Sequence, residues 1–239
     1  MAEKFEIRWD RQLAATPREV WTAITERSDG WLWPIEFEPR EGGTEHGLGG
    51  QPGTVTVWEP EQHFTTSSAE PDGTNELDYV LEPRNGGTYL RYTHRGVFAT
   101  DFETNLDACK QHTDFYYHSL GEYVRHFAGR SATYVAADGP ESSAQGGFAE
   151  MRRALGVPDG AAVGDTVRLT PEGMEPIDGV VDYATPVFLG VRSANALYRF
   201  YGRDHWGWPA GVAHHLYDGT DGKGWSQWLA GVFADGRMA

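Results

Sequence analysis

Between residues 4 and 13 polarity alternates. Phe5, Ile7 and Trp9 fall on one side and Glu6, Arg8 and Asp10 on the other, the pattern of a half-buried strand. Thr16-Pro17-Arg18-Glu19 follows, with a capping hydroxyl, a proline suited to the first helical position and a glutamate to close a capping box. Val20, Ala23 and Ile24 supply the inward stripe of a short helix. Trp31 and Trp33 sit at a turn, and Phe37 leads into a strand. Further strands are predicted at 35–41, 53–59, 62–69, 75–82 and 88–95, separated by GGTEHGLGGQPG, EPEQ, EPDG and EPRNGG. Such short connections predict an antiparallel meander, because parallel crossovers need a dozen or more residues. Leu77, Tyr79 and Leu81 share a face, as do Leu90, Tyr92 and His94. The likeness of EPREGG (38–43) to EPRNGG (82–87) reads as two turns solved alike; no solenoid period extends from it.

The clearest helix spans 102–128. Phe102, Leu106, Cys109, Thr113, Tyr116, Leu120, Tyr123 and Phe127 step by alternating fours and threes, one seam along about seven turns. A long helix laid across a curved sheet explains that seam, with the Leu106/Thr113/Tyr116/Leu120 face turned to the sheet. Composition changes at VAADGPESSAQGG (135–147), which reads as a linker. Beyond it come a short helix at FAEMRRALG and strands near 165–170, 177–184, 187–192, 196–201 and 211–217. Trp225, Trp228, Leu229, Val232 and Phe233 mark a closing helix. The fold expectation is therefore α+β: a helix-grip sheet wrapped around a long helix in a domain at 1–134, a linker at 135–147, and a smaller β-meander plus helix at 148–239. The last piece reads as a degenerate second copy without its leading strand and capped helix. Such a sheet would expose an edge or an apolar face, so the first domain, or a second chain in a homodimer, is expected to cover it.

Composition narrows the function classes. The 239 residues are 39% hydrophobic and 23% charged, which fits neither disorder nor a membrane span of about 20 apolar residues. The opening MAEKFEIRWD lacks a signal pattern, and a cytoplasmic protein is expected. A net charge of −15 disfavours nucleic acid. Thirty glycines with nine Trp, eleven Tyr and eleven Phe predict many turns around aromatic-rich β structure.

Catalytic signatures are mostly missing: G-x-S-x-G, H-E-x-x-H, a Walker loop and paired cysteines are all absent. The run Gly47–Gly53 lacks the Lys-Ser/Thr of a phosphate loop and reads as a flexible hairpin loop. The nine histidines give no three ligands in one local geometry, so no metal and no cofactor are expected. His214 and His215 adjoin in a strand and point to opposite faces. The single cysteine, Cys109, lies on the inward seam as a small hydrophobe with nothing basic flanking it on that face. Asp101, Glu103 and Asp107 serve the positive end of the helix dipole. The positive signal is aromatic. Trp31, Trp33, Phe64, Tyr79, Tyr92, His94, Thr113 and Tyr116 lie on elements that a wrapped sheet and a long helix bring together, with polar tips suited to orient a ligand.

The order strand, capped helix, short second helix, meander, long helix resembles the helix-grip, START-like (SRPBCC) superfamily, which includes the birch-pollen-allergen fold. ATPREVWTAITE, DGWLWP, PGTVTVWEPEQHFTTS and GGTYLRYTHRGVF are similar, in that order, to the opening helix, Trp-rich second helix, central hairpin and later hairpin of the family named after the activator of the heat-shock-protein-90 ATPase. The resemblance covers roughly residues 4–130. It implies a cavity between sheet and long helix and carries no family-wide catalytic residue; the glycine-rich loop 42–53 departs from the usual spacing at the cavity entrance. The reading is a binding protein for a small apolar or aromatic molecule. The alternatives are a polyketide cyclase/dehydratase-like enzyme, with His94 as one member of an acid–base pair, and a chaperone ATPase-activator-like partner.

Overall fold

The computed structural model describes residues 2–70 and 73–234, and the chain divides into two compact units, Met1–Gly129 and Arg130–Ala239. In the first, β1 (Glu3–Leu13) buries Phe5, Ile7 and Trp9 as its alternation requires. Helix α1 (Pro17–Thr25) starts on the capping box: Thr16 N–H donates to Glu19 Oε2 at 2.7 Å, and Glu19 N–H returns to Thr16 Oγ1 at 3.3 Å. A 3-10 turn at Ser28–Gly30 precedes the two tryptophans. The meander runs β2 (Glu36–Phe37), β3 (Thr44–His46), β4 (Gly53–Glu59), β5 (His63–Glu70), β6 (Gly73–Arg84) and β7 (Gly87–Phe98). The expected strand at 35–41 shrinks to two residues, while β3 arises inside the glycine-rich segment read as a breaker. Pro71 and Asp72 of the expected EPDG turn lie outside the described residues. The β6–β7 hairpin turns on Asn85 (φ 50°) and Gly86 (φ 75°), the left-handed pair that a two-residue hairpin loop requires. Strand order is β1-β7-β6-β5-β4-β3-β2, antiparallel throughout. Tyr79 lies opposite Tyr92, and Leu77 opposite His94.

Helix α2 (Phe102–His126) is a single 25-residue helix. It buries Thr113, Tyr117 and Leu120, while Leu106, Cys109 and Tyr116 are half-buried. Asp101 enters it in the left-handed region (φ 51°) and gives no side-chain cap. At Gly30 a Cβ would stand 2.5 Å from the Tyr123 ring, so only glycine permits that approach.

The second unit opens with a strand across the boundary expected between the first domain and the linker. β8 (Ala132–Asp138) pairs with β13 (Gly211–Tyr217), and a 3-10 turn follows at Glu141–Ala144. After α3 (Gly147–Ala154) come β9 (Thr166–Leu169), β10 (Ile177–Ala184), β11 (Phe188–Arg192), β12 (Ala196–Tyr201), β13 and α4 (Trp225–Val232). Strand order is β8-β13-β12-β11-β10-β9. The unit thus has a leading strand, set beside the last meander strand as β1 is beside β7. The case for an uncovered sheet edge at that position loses its premise. Val167, Leu169, Val181, Tyr198, Phe200, Trp225, Trp228 and Leu229 form one core. Tyr183 falls outside it, because a bulge at Asp182 shifts the register between Val181 and Tyr183. Asp182 instead accepts from Arg199 Nη1 with both oxygens at 3.0 Å. Among the described residues no helix is long and apolar enough to cross a membrane.

Candidate functional site

A cavity of about 190 Å³ lies in the first unit between the sheet and α2. Alternation on β6 and β7 turns Leu77, Tyr79, Tyr92 and His94 toward the helix, and Asn75 borders the same space. Cys109, His112, Thr113, Tyr116 and Tyr117 contribute from α2, Trp31, Leu32 and Trp33 from the segment before β2, and Leu48 from the loop between β3 and β4.

The wall is largely aromatic. Tyr117 packs against Tyr92, Trp9 and Trp31 at centroid distances of 4.4, 4.9 and 5.5 Å. Its hydroxyl donates to Tyr79 Oη at 3.0 Å. Burial pushes the Tyr79, Tyr92 and Tyr117 hydroxyls well above the ordinary phenol range, so they stay neutral donors and acceptors. Trp31 is anchored by its indole N–H on Ala23 O at 2.8 Å, and Trp33 by its own on Gly47 O at 2.6 Å. Trp33 meets Tyr116 edge-on at 5.4 Å.

The entrance loop is clamped by a buried acid. Glu45, 1% exposed, accepts from Leu48 N–H at 2.7 Å, and burial raises its carboxyl above the usual range. A Cβ at Gly53 would stand 2.4 Å from Glu45 Oε2, so glycine there makes room for the clamp. Through it Leu48 borders the cavity.

At one end stands a hydrogen-bonded array. His94 Nε2 is 2.6 Å from Asn75 Oδ1, and His94 Nδ1 is 3.5 Å from Cys109 Sγ. An amide oxygen only accepts, so Nε2 carries the imidazole proton and Nδ1 accepts from the thiol. Phe5 meets the ring edge-on at 4.9 Å. Burial pushes His94 down to about 4 and Cys109 up to about 11. The pair therefore rests as neutral imidazole and thiol, and burial opposes moving the proton from sulfur to nitrogen.

Of the eight residues singled out from the sequence, Trp31, Trp33, Tyr79, Tyr92, His94, Thr113 and Tyr116 border the cavity together. Phe64 does not. It is fully buried behind Tyr79, at 5.4 Å, among Trp21, Phe37 and Trp58. Sequence reasoning missed Leu32, Leu48, Asn75, Leu77, His112 and Tyr117, and read Cys109 as packing alone. Tyr117 was recoverable, being one position round the helix from the counted seam. Among the described residues no three His, Cys, Asp or Glu side chains gather to hold a metal. A larger, open groove in the second unit is bordered by Phe148, Arg152, Arg153, Asp159, Asp204 and His205. Its charges are of both signs, and Arg153, Asp159 and His205 are exposed.

A family model described as "Activator of Hsp90 ATPase homolog 1-like protein" matches residues 14–125. No curated protein matches the chain. Similar solved structures include CalU16 from Micromonospora echinospora, 21% identical over 52% of this chain and 86% of that one, with a TM-score of 0.41. Protein MLL2253 from Mesorhizobium loti is 20% identical over 52% and 98%, with a TM-score of 0.44. The Aha1 dimer from Colwellia psychrerythraea is 21% identical over 50% and 96%, with a TM-score of 0.43.

Proposed function

We propose, from the match of residues 14–125 to the family model described as "Activator of Hsp90 ATPase homolog 1-like protein", that the first unit binds a small aromatic molecule between sheet and long helix. The observation that carries this reading is the aromatic-walled cavity of about 190 Å³. An apolar cavity of about 150 Å³ already accepts benzene, so one ring with small substituents fits. The volume lies below the roughly 300–1,000 Å³ of drug-sized pockets, which argues against a lipid or a polycyclic product. A ring hiding about 250 Å² gains about 6 kcal/mol gross from burial, and association costs take up much of that gain, so binding is weak.

Binding is proposed rather than turnover because acid–base catalysis needs groups whose proton affinities lie near the working pH. His94 and Cys109 are held at about 4 and about 11. The experiment is a titration of the full-length protein with monocyclic aromatics, followed by ligand-observed and histidine-edited NMR. Saturable binding that perturbs His94 is expected. Absence of saturation for every ring up to its solubility limit overturns the reading. The chaperone link in the family's name is tested separately, by stimulation of the chaperone's ATPase.

A further inference from the structure

Resting on that binding reading, we propose that the ligand is a neutral monocyclic phenol whose hydroxyl donates to Nδ1 of His94. Nε2–H donates to Asn75 Oδ1 at 2.6 Å, which leaves Nδ1 unprotonated and turned toward α2, where Cys109 Sγ stands at 3.5 Å. The tyrosine and threonine hydroxyls around the cavity both donate and accept, so they select no particular partner. Nδ1 only accepts. The group now on it is a thiol, a weak donor, and a phenol O–H makes a stronger hydrogen bond to the same lone pair. The arrangement thus marks a place in a largely aromatic wall where a donor is wanted.

Charge excludes the neighbouring ligand classes. Among the described residues the cavity lining holds neither Lys nor Arg to meet a carboxylate or phenolate, and neither Asp nor Glu to meet an ammonium. An unpaired ion there would bear its full desolvation cost. His94, at about 4, does not become the missing cation at neutral pH. A neutral ring bearing one hydroxyl satisfies volume, polarity and donor count together.

The test compares p-cresol with p-xylene, matched in shape and differing by hydroxyl against methyl, on the full-length protein. The wild type is expected to bind p-cresol at least as tightly as p-xylene, although the hydroxyl is the better hydrated group. In His94→Phe, p-cresol affinity falls about tenfold, the scale of a buried hydrogen bond, while p-xylene stays within about twofold. An unchanged p-cresol to p-xylene ratio overturns the phenol inference and leaves the cavity reading standing; failure of both rings to bind overturns the cavity reading itself. Cys109→Ala keeps the acceptor, so p-cresol affinity holds or rises, and a loss there overturns the assignment to His94. Should His94→Phe not fold, long-range histidine ¹⁵N spectra of the wild type decide. Nδ1 reads as unprotonated and shifts with p-cresol but not with p-xylene; a protonated Nδ1 overturns the proposal.

Discussion

The two units share a plan and close it differently. Each sets its leading strand against the last meander strand, β1 on β7 and β8 on β13, and ends in a helix. In the first unit the closing helix has 25 residues, and in the second it has eight. A histidine on the last meander strand faces the helix side in both. His94 looks into the cavity and holds a thiol at 3.5 Å. His214 is filled in: Trp225 meets its ring at 4.2 Å, Tyr198 and Phe200 at 5.2 Å, and its Nδ1 accepts from Arg199 N–H at 3.1 Å. One topology thus supports a hollow or a solid core. The choice lies in where indoles and tyrosines stand, not in strand order.

The comparison breaks first at Trp225. This ring is 1% exposed and touches His214, Tyr198, Phe200 and Trp228. Trp225→Ala removes the plug, and burying a void of that size costs about 3–5 kcal/mol. The expected result is a large fall in the denaturant midpoint of the second unit, followed by tryptophan fluorescence and hydrogen exchange at β12 and β13. A change below about 1 kcal/mol there would mean that the second core is as hollow as the first.

Acid sharpens the same comparison. Burial lowers His94 from 6.5 to about 4 and lowers His214 well below 6.5. Between those values the unfolded chain binds protons that the folded chain refuses. The stability that these two neutral imidazoles contribute is therefore complete above pH 6.5 and is lost as pH falls toward 4. His94 alone accounts for up to about 3 kcal/mol of that loss at 1.36 kcal/mol per unit. Partners hold the Glu6, Glu19 and Glu38 carboxyls below 4.5, so the stabilisation they give begins to be lost near that value and goes as pH falls further, while burial raises Glu45 and Asp29 and acts with the opposite sign. Denaturant midpoints between pH 7.5 and 4.5 should fall in the wild type and fall less in His94→Phe. A wild-type profile that parallels that of His94→Phe would show the His94 imidazole to be solvated.

Much of this was legible in the residues. The capping box at Thr16 and Glu19, the strands at 177–184, 196–201 and 211–217, and the aromatic set on β6 and β7 all follow from local pattern. Other features need partners distant in sequence. β8 is made of ATYVAAD, small and half-buried residues that resemble a linker until β13 pairs with them. Leu48 reaches the cavity only because Glu45, a buried carboxylate in a glycine-rich stretch, holds its N–H. The alternating count on α2 selected Tyr116 and passed over Tyr117, because one seam is narrower than the face that a curved sheet contacts. Cys109 looked inert by its helical neighbours; its partner comes from another strand.

The smallest expected effect on stability is the most telling for function. Tyr116 is half-buried, borders the cavity and meets Trp33 edge-on at 5.4 Å. An aromatic edge contact is worth about 0.5–1.5 kcal/mol beyond burial, and leucine keeps part of the apolar cover. Tyr116→Leu should therefore shift stability by about 1 kcal/mol or less, well short of Trp225→Ala. The same change alters the wall that a bound ring touches, so affinity for p-cresol and p-xylene should fall several-fold together. That joint loss separates Tyr116 from His94, whose replacement acts on the phenol alone. If Tyr116→Leu instead lowers stability as much as Trp225→Ala does, the ring is core filling, and the first unit is built as solidly as the second.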